Sequence, residues 1–191
     1  CRLLTLVGPG GIGKTRLAIA AVSQIQNEFS DGVVFVPFAP VNSSRFIVPI
    51  IADSISFTFQ SENRTEPRLQ LLGYLKEKEM LLLVDNVEHL LQEPDIELFS
   101  ELLAMAPNVK LLFTSREPLN LQAEWVFEVQ GLPIPKDPQT DAIIQDTSIE
   151  LFIQRARRAH VGFNAAPEDF PAILRICQLV DGMPLGIELA A

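Results

Sequence analysis

Residues 3–15 have the sequence LLTLVGPGGIGKT, and this stretch decides the fold. The apolar run of residues 3–7 predicts a buried strand. Residues 8–15 then match the pattern G-x-x-x-x-G-K-[ST] of a phosphate-binding loop. Residues 16–22, RLAIAAV, predict a helix directly behind the loop. Because the order strand, loop, helix is the context in which this pattern binds a nucleoside triphosphate, we predict such a site here.

The glycines of this loop explain how it would hold phosphate. Glycine adopts backbone angles that other residues avoid, so successive N–H groups turn toward one centre, and the helix behind adds the positive end of its dipole. Lys14 would supply a mobile positive charge for the outer phosphates, and Thr15 a hydroxyl for Mg²⁺. The residues predicted to bind the nucleotide here are Gly8, Gly10, Gly11, Ile12, Gly13, Lys14, Thr15 and Arg16.

A second apolar run, residues 80–84, ends in Asp85. Beside a phosphate loop, an acid at the end of a strand holds Mg²⁺, so we predict that Asp85 and Thr15 share the metal; the alternative is a simple turn residue. The next residue, Asn86, is not a base at neutral pH. Glu88 is therefore the candidate for polarising the attacking water, with a surface glutamate as the alternative. We expect hydrolysis to be weak or slow.

A third run, residues 111–116, has the sequence LLFTSR. Because strand ends at this edge of a parallel sheet point at the ligand, we predict that Arg116 contacts the terminal phosphate. The alternative is an ion pair with Glu117 or another nearby acid. Thr114 and Ser115 are further candidates for polar sensors. The predicted catalytic set is then Lys14, Asp85, Glu88 and Arg116.

The spacing of the apolar runs predicts the fold class. Four runs, residues 3–7, 33–36, 80–84 and 111–113, do not alternate apolar with polar residues, which is typical of strands buried on both faces of a parallel sheet. Helical patterns lie between them and predict helices over residues 14–28, 45–56, 67–76 and 95–105. We therefore predict an open α/β sheet with helices on both faces.

The chain changes character at residues 131–138, which hold Gly131 and three prolines and are predicted to be a linker. Helical patterns alone follow: one begins at a capping-box pair, Thr147 and Glu150, a second ends at residues 181–182, and a third begins near Pro184. We expect a nucleotide-binding domain over residues 1–130, and a linker with the start of a helical domain over residues 131–191.

Composition excludes several classes of protein. The net charge of −9 argues against direct contact with nucleic acid, and the short basic cluster of Arg155, Arg157 and Arg158 is interpreted as a solvated helix face. The apolar runs are all too short to span a membrane. Two cysteines are too few for a disulfide framework or a zinc site, so we expect a cytoplasmic compartment. The chain starts at Cys1 rather than Met, and we expect it to be a piece of a longer protein.

Four motifs in a fixed order carry a family resemblance: GPGGIGKT, LLLVDN, LLFTSR and, at residues 182–185, GMPL. Together they resemble the NB-ARC/AP-ATPase branch of the STAND class of P-loop NTPases, in its bacterial regulator form. The resemblance implies a three-layer αβα sheet of order 5-1-4-3-2, followed by part of an ARC-type helical domain. It also implies that Lys14, Thr15, Asp85 and Arg116 bind phosphate and metal, and that Pro184 contacts the adenine base.

The function implied by this resemblance is an ATP/ADP switch in signal transduction or transcription regulation. Its partners would be adenine nucleotide, other domains of the parent chain and, with ATP bound, further copies of itself. Two alternatives stay open. One is a P-loop enzyme whose output is turnover, such as a motor, kinase or transporter ATPase, although the sequence has neither an N-K-x-D nor an L-S-G-G-Q motif. The other is an interaction scaffold that binds no nucleotide.

Overall fold

The computed structural model describes residues 1–39, 43–60, 65–90, 94–135 and 147–191. The chain divides into two compact units. One consists of Cys1–Gly8 and Lys14–Glu128, and the other consists of Pro9–Gly13 and Val129–Ala191. Within the described residues, every helix is too short or too polar to cross a bilayer.

The first unit is built on a five-stranded parallel sheet. The strands are β1 (Leu3–Val7), β2 (Val33–Pro37), β3 (Leu81–Asp85), β4 (Lys110–Ser115) and β5 (Glu124–Glu128). They lie in the order β2-β3-β4-β1-β5, which is the predicted order 5-1-4-3-2 read from the other edge. The predicted α/β fold of the P-loop NTPases is therefore confirmed.

Strand β5 is the one strand that the apolar runs did not locate. Its sequence, EWVFE, lacks a buried apolar run because the strand pairs with β1 at one edge of the sheet. Trp125 is 67% exposed and Phe127 53% exposed. Hydrophobic runs indicate central strands, whereas an edge strand that is exposed along its length carries little of that signal.

The helices of the first unit agree with prediction except at their ends. They are α1 (Lys14–Ile25), α2 (Ile47–Ser54), α3 (Pro67–Leu75) and α4 (Leu98–Met105). α1 continues as a 3-10 turn over Gln26–Glu28, and 3-10 turns precede α2 and α4, over Ser44–Phe46 and Pro94–Glu97. The predicted starts at residues 45 and 95 were therefore too early. Pro49 is the third residue of α2 and so lies in the first turn of the helix, where proline is tolerated.

One face of the sheet carries the main hydrophobic core. Alternate residues of β3, Leu82 and Val84, are fully buried there. Phe99 of α4 meets Phe113 of β4 edge to face, with ring centroids 4.8 Å apart, and meets Phe38 in the same way at 6.5 Å. Such pairs add to the free energy that burial alone contributes. This packing fixes β3 and β4, whose carboxyl ends carry the candidate site.

The second unit contains α5 (Thr147–Ala159), α6 (Phe170–Leu179) and α7 (Pro184–Ala190). Its core includes Ile149, Phe152, Ile173, Leu174, Cys177 and Ile187, so the thiol of Cys177 is buried. The Thr147 side chain and residues 136–138 of the predicted linker lie outside what the structure describes. Arg155 corrects one prediction: it is not on a solvated face but pairs with Glu188, with Nη2 2.5 Å from Oε1.

Candidate nucleotide-binding site

Asp85 lies at the carboxyl end of β3, and its side chain accepts hydrogen bonds from two hydroxyl groups. The register of β3 and β4 sets it opposite Thr114. Thr15 Oγ1 and Thr114 Oγ1 each donate to Asp85 Oδ1 over 2.6 Å. The two residues predicted to share a metal ion, Thr15 and Asp85, are therefore in direct contact. Thr114, a candidate polar sensor by sequence, is buried and holds the carboxylate in position.

The Thr15–Asp85 pair suits Mg²⁺. A carboxylate and a hydroxyl are hard oxygen ligands, and Mg²⁺ is commonly held by one or two protein groups together with phosphate oxygens and water. Nowhere in the part of the chain that the structure describes do three or more His, Cys, Asp or Glu residues form a cage for a metal ion. Two protein ligands therefore suit a Mg²⁺ ion whose remaining ligands are phosphate oxygens and water.

Lys14 folds back onto the start of its own loop. Its Nζ donates to the Gly8 carbonyl oxygen over 2.7 Å. Burial lowers the pKa of the Lys14 ammonium below its ordinary value; the Glu88 and Asp85 carboxylates oppose this shift, and Arg116 adds to it. A phosphate group beside Lys14 would therefore stabilise the charged ammonium and oppose the effect of burial.

Glu88 and Arg116 form an ion pair, with Arg116 Nε 3.0 Å from Glu88 Oε1. Of the interpretations left open for Arg116, pairing with a nearby acid is therefore observed, and the acid is Glu88 rather than Glu117. The Glu88 side chain is only 16% exposed and the Arg116 side chain 67%. Two residues predicted to act separately on the nucleotide are thus in contact with each other.

Asn86 explains how Glu88 reaches this position. Its φ of 65° lies in the left-handed region, which asparagine tolerates better than most residues. The Asn86 and Val87 amides donate to the Thr114 carbonyl oxygen over 3.1 and 3.4 Å. The chain therefore turns sharply after β3, and Glu88 begins the 3-10 turn Glu88–Leu90. Sequence reasoning treats Asn86 only as a missing acid and overlooks the turn that an asparagine directly after a strand indicates.

In the second unit, the loop segment Pro9–Gly13 packs against the start of α7. Gly11 and Gly13 have φ values of 83° and 99°, so both need glycine. The Leu185 amide donates to the Gly11 carbonyl oxygen over 3.2 Å, and a Cβ on Gly11 would lie 2.7 Å from that of Leu185. Pro184, predicted to contact the base, lies 3.9 Å from where a Cβ on Gly13 would be. Sequence reasoning missed Leu185.

The remaining predicted residues lie around the loop. Gly8 is buried, and its amide donates to the Ser115 carbonyl oxygen over 3.3 Å. Ile12 is also buried, whereas Gly10 is exposed. Arg16 is exposed in the first turn of α1. This position leaves Arg16 accessible to a ligand at the helix N-terminus.

Comparison with protein families identifies the first part of the chain. Residues 1–120, more than half of the sequence, match the family described as AAA domain. The chain belongs to the AAA domain family. It is accordingly a P-loop ATPase domain by family.

Curated relatives match this chain along its whole length. The chain is 37% identical over 190 residues to a Mycobacterium tuberculosis protein named "Putative HTH-type transcriptional regulator", of which it spans 20%. It is 32% identical over 194 residues to an uncharacterised protein of the same organism, of which it spans 45%. It is also 26% identical over 213 residues to an uncharacterised WD repeat-containing protein of Nostoc sp., of which it spans 16%. The chain thus spans between about a sixth and a half of the length of these relatives.

Solved structures share the fold of the AAA domain at low identity. Cdc6p from Pyrobaculum aerophilum is 18% identical, with a TM-score of 0.63 over 99% of this chain and 53% of that one. The Aeropyrum pernix ORC2 protein, solved in ADPNP–ADP complexes, is 15% identical with a TM-score of 0.59, over 98% of this chain and 54% of that one. Drosophila ORC bound to DNA is 14% identical with a TM-score of 0.65, over 98% and 54%. At these identities the likeness concerns the fold alone.

Proposed function

We propose that this AAA domain binds ATP and ADP together with Mg²⁺ and acts as the nucleotide-controlled switch of a transcription regulator. The observation that carries the proposal is the contact between Thr15 Oγ1 and Asp85 Oδ1, because it joins the two residues that are predicted to bind the metal ion. The adenine nucleotides in the Aeropyrum structure and the name of the mycobacterial relative support the ligand and the role.

Each group of the chain has a specific part in this proposal. The main-chain amides of the loop at residues 8–15 and the Lys14 ammonium hold the β- and γ-phosphates. Thr15 and Asp85 hold Mg²⁺, which neutralises phosphate charge when bound. Thr114 keeps Asp85 in position through its hydroxyl group. Glu88 orients the attacking water and accepts its proton during hydrolysis.

Slow hydrolysis favours a switch over a motor or a kinase. The residue after Asp85 is Asn86, which accepts no proton at neutral pH, and the nearest other acid, Glu88, is held by Arg116. Glu88 can act on water only after the Arg116 guanidinium has moved away from it. We therefore propose turnover far below the ~1–100 s⁻¹ that is typical of kinases.

The resemblance to the NB-ARC/AP-ATPase branch of the STAND class supplies the rest of the proposal. On that analogy, ADP maintains an inactive form, and exchange for ATP permits oligomerisation and contact with other domains of the parent chain. Residues 1–130 would form the nucleotide-binding domain and residues 131–191 a linker with part of an ARC-type helical domain. Pro184 would contact the base, and the protein would work in the cytoplasm.

Thermal unfolding with and without nucleotide tests this proposal. A ligand present at 100 times its Kd adds about 2.7 kcal/mol to the free energy of unfolding, so Mg-ADP and Mg-ATP should both raise the Tm. Lys14→Ala and Asp85→Asn should abolish most of the increase. The matched control is Lys76→Ala, because Lys76 is an exposed lysine outside the site. If neither nucleotide shifts the Tm of the folded protein, the scaffold alternative replaces the switch.

A further inference from the structure

We propose that Glu88 competes with the γ-phosphate for Arg116 and thereby biases the site toward ADP. The proposal rests on the proposed nucleotide binding and goes beyond it, because it assigns the choice between ADP and ATP to one ion pair. ADP has no γ-phosphate and leaves the pair intact. ATP gains its contact with Arg116 only by drawing the guanidinium away from Glu88.

The geometry of the ion pair allows the Arg116 guanidinium to separate from the Glu88 carboxylate. Its contact joins one nitrogen, Arg116 Nε, to one oxygen, Glu88 Oε1, over 3.0 Å. The other oxygen, Glu88 Oε2, is buried and has no hydrogen-bond partner among the described residues. A bidentate pair would be stronger and more rigid than this one. Arg116, two-thirds exposed, is accessible to a phosphate group.

Glu88 is the fixed member of the pair. Two backbone hydrogen bonds, from the amides of Asn86 and Val87, tie the turn that precedes it to the Thr114 carbonyl oxygen. Glu88 then opens the 3-10 turn Glu88–Leu90, whose last residue is buried. Arg116 follows β4 directly and has a long side chain that is mostly in solvent. We therefore infer that the guanidinium moves and the carboxylate stays.

The position of the pair connects it to the phosphate groups. Glu88 and Arg116 both act electrostatically on Lys14, the residue predicted to hold the outer phosphates, with opposite signs. A γ-phosphate beside Lys14 would therefore be attracted to Arg116, the cation that Glu88 already holds. Specificity is a difference between two affinities, and here the unfavourable element, Glu88, acts mainly on the longer nucleotide.

Calorimetric titration of the whole 191-residue chain with Mg-ADP and with the non-hydrolysable analogue Mg-ADPNP tests the proposal. Glu88→Gln keeps the side-chain shape but removes the charge, and should strengthen ADPNP binding relative to ADP by at least about fivefold. Arg116→Gln should weaken ADPNP binding and leave ADP binding nearly unchanged. In the Arg116→Gln background, Glu88→Gln should have no further effect on the ratio, because the contested cation is gone.

Glu117→Gln is the matched control. It removes the same charge from an exposed glutamate next to Arg116, and the ratio of the two affinities should stay at the wild-type value. Equal strengthening of ADP and ADPNP by Glu88→Gln would overturn the proposal, because it would indicate general repulsion. The proposal would also be overturned if Glu88→Gln changed the ratio of ADPNP to ADP affinity in the Arg116→Gln background. If the wild-type chain bound neither nucleotide, the proposed function itself would fail, and that result is distinct from either pattern.

Discussion

Asn86 sets the geometry of the candidate site at the scale of a single residue. Its left-handed backbone conformation ends β3 and directs the chain so that Glu88 meets Arg116. Lys14, Thr15 and Asp85 were predictable because fixed spacing and the register of parallel strands determine their positions. The Glu88–Arg116 contact was not, since the choice between Glu88 and Glu117 depends on the direction of this one turn.

Alanine and glycine substitutions of Asn86 should show how much the positive φ at this position costs in free energy of unfolding. Asn86→Ala should lower the free energy of unfolding by about 1 kcal/mol, because a Cβ-bearing residue that lacks the asparagine side chain is strained at positive φ. Asn86→Gly should cost less, because glycine adopts this conformation freely. Urea denaturation of the three proteins measures both differences. Equal stability of the alanine and glycine variants would show that positive φ at this position carries no strain.

Arg2 connects the start of β1 to the carboxyl end of α4. Its guanidinium donates to the carbonyl oxygen of Leu103 over 2.8 Å and to those of Ala106 and Val109. These carbonyls lie at the carboxyl end of α4 and in the connection to β4, where helix geometry leaves acceptors without partners. A cation there also interacts favourably with the helix dipole. Arg2 lies just before β1, so the carboxyl end of α4 is anchored beside that strand.

Removal of this anchor should destabilise the first unit. Arg2→Ala should lower the free energy of unfolding by about 2 kcal/mol, since hydrogen bonds to charged groups contribute roughly 1.5–3 kcal/mol. Arg2→Lys should recover only part of this loss, because an ammonium does not reproduce the planar fork of donors. Guanidinium denaturation provides the measurement. The interpretation fails if lysine and alanine are equally tolerated.

At the scale of elements, the helices and four of the five strands were predictable from the sequence, whereas the edge strand β5 was not. β1 and β3 are almost continuous apolar runs, and burial on both faces produces that pattern directly. β5 lies at the edge with its aromatic residues in solvent, so no burial signal marked its position. The starts of α2 and α4 were wrong by a few residues because a single 3-10 turn is too short for its period of three residues to be distinguished from the period of an α-helix.

The charge of the whole molecule leads to a prediction about DNA. With 24 acidic and 15 basic residues, the chain repels a polyanion on average. We expect no binding to duplex DNA at about 0.15 M salt, that is, a Kd weaker than the ~10⁻⁴ M limit of ordinary non-specific binding. Fluorescence anisotropy with a labelled duplex measures this affinity. Micromolar binding that falls steeply with added salt would contradict the prediction and indicate a local basic surface that overrides the net charge.

Trp125 gives the chain an optical property of its own. It is the single tryptophan of the sequence, and its side chain is mostly exposed on the edge strand β5, which pairs with β1. Its emission therefore reports the polarity at one rim of the sheet and nowhere else. A molecule that covered this rim would shift the emission to shorter wavelength and shield the indole from dissolved quenchers, without any label being attached.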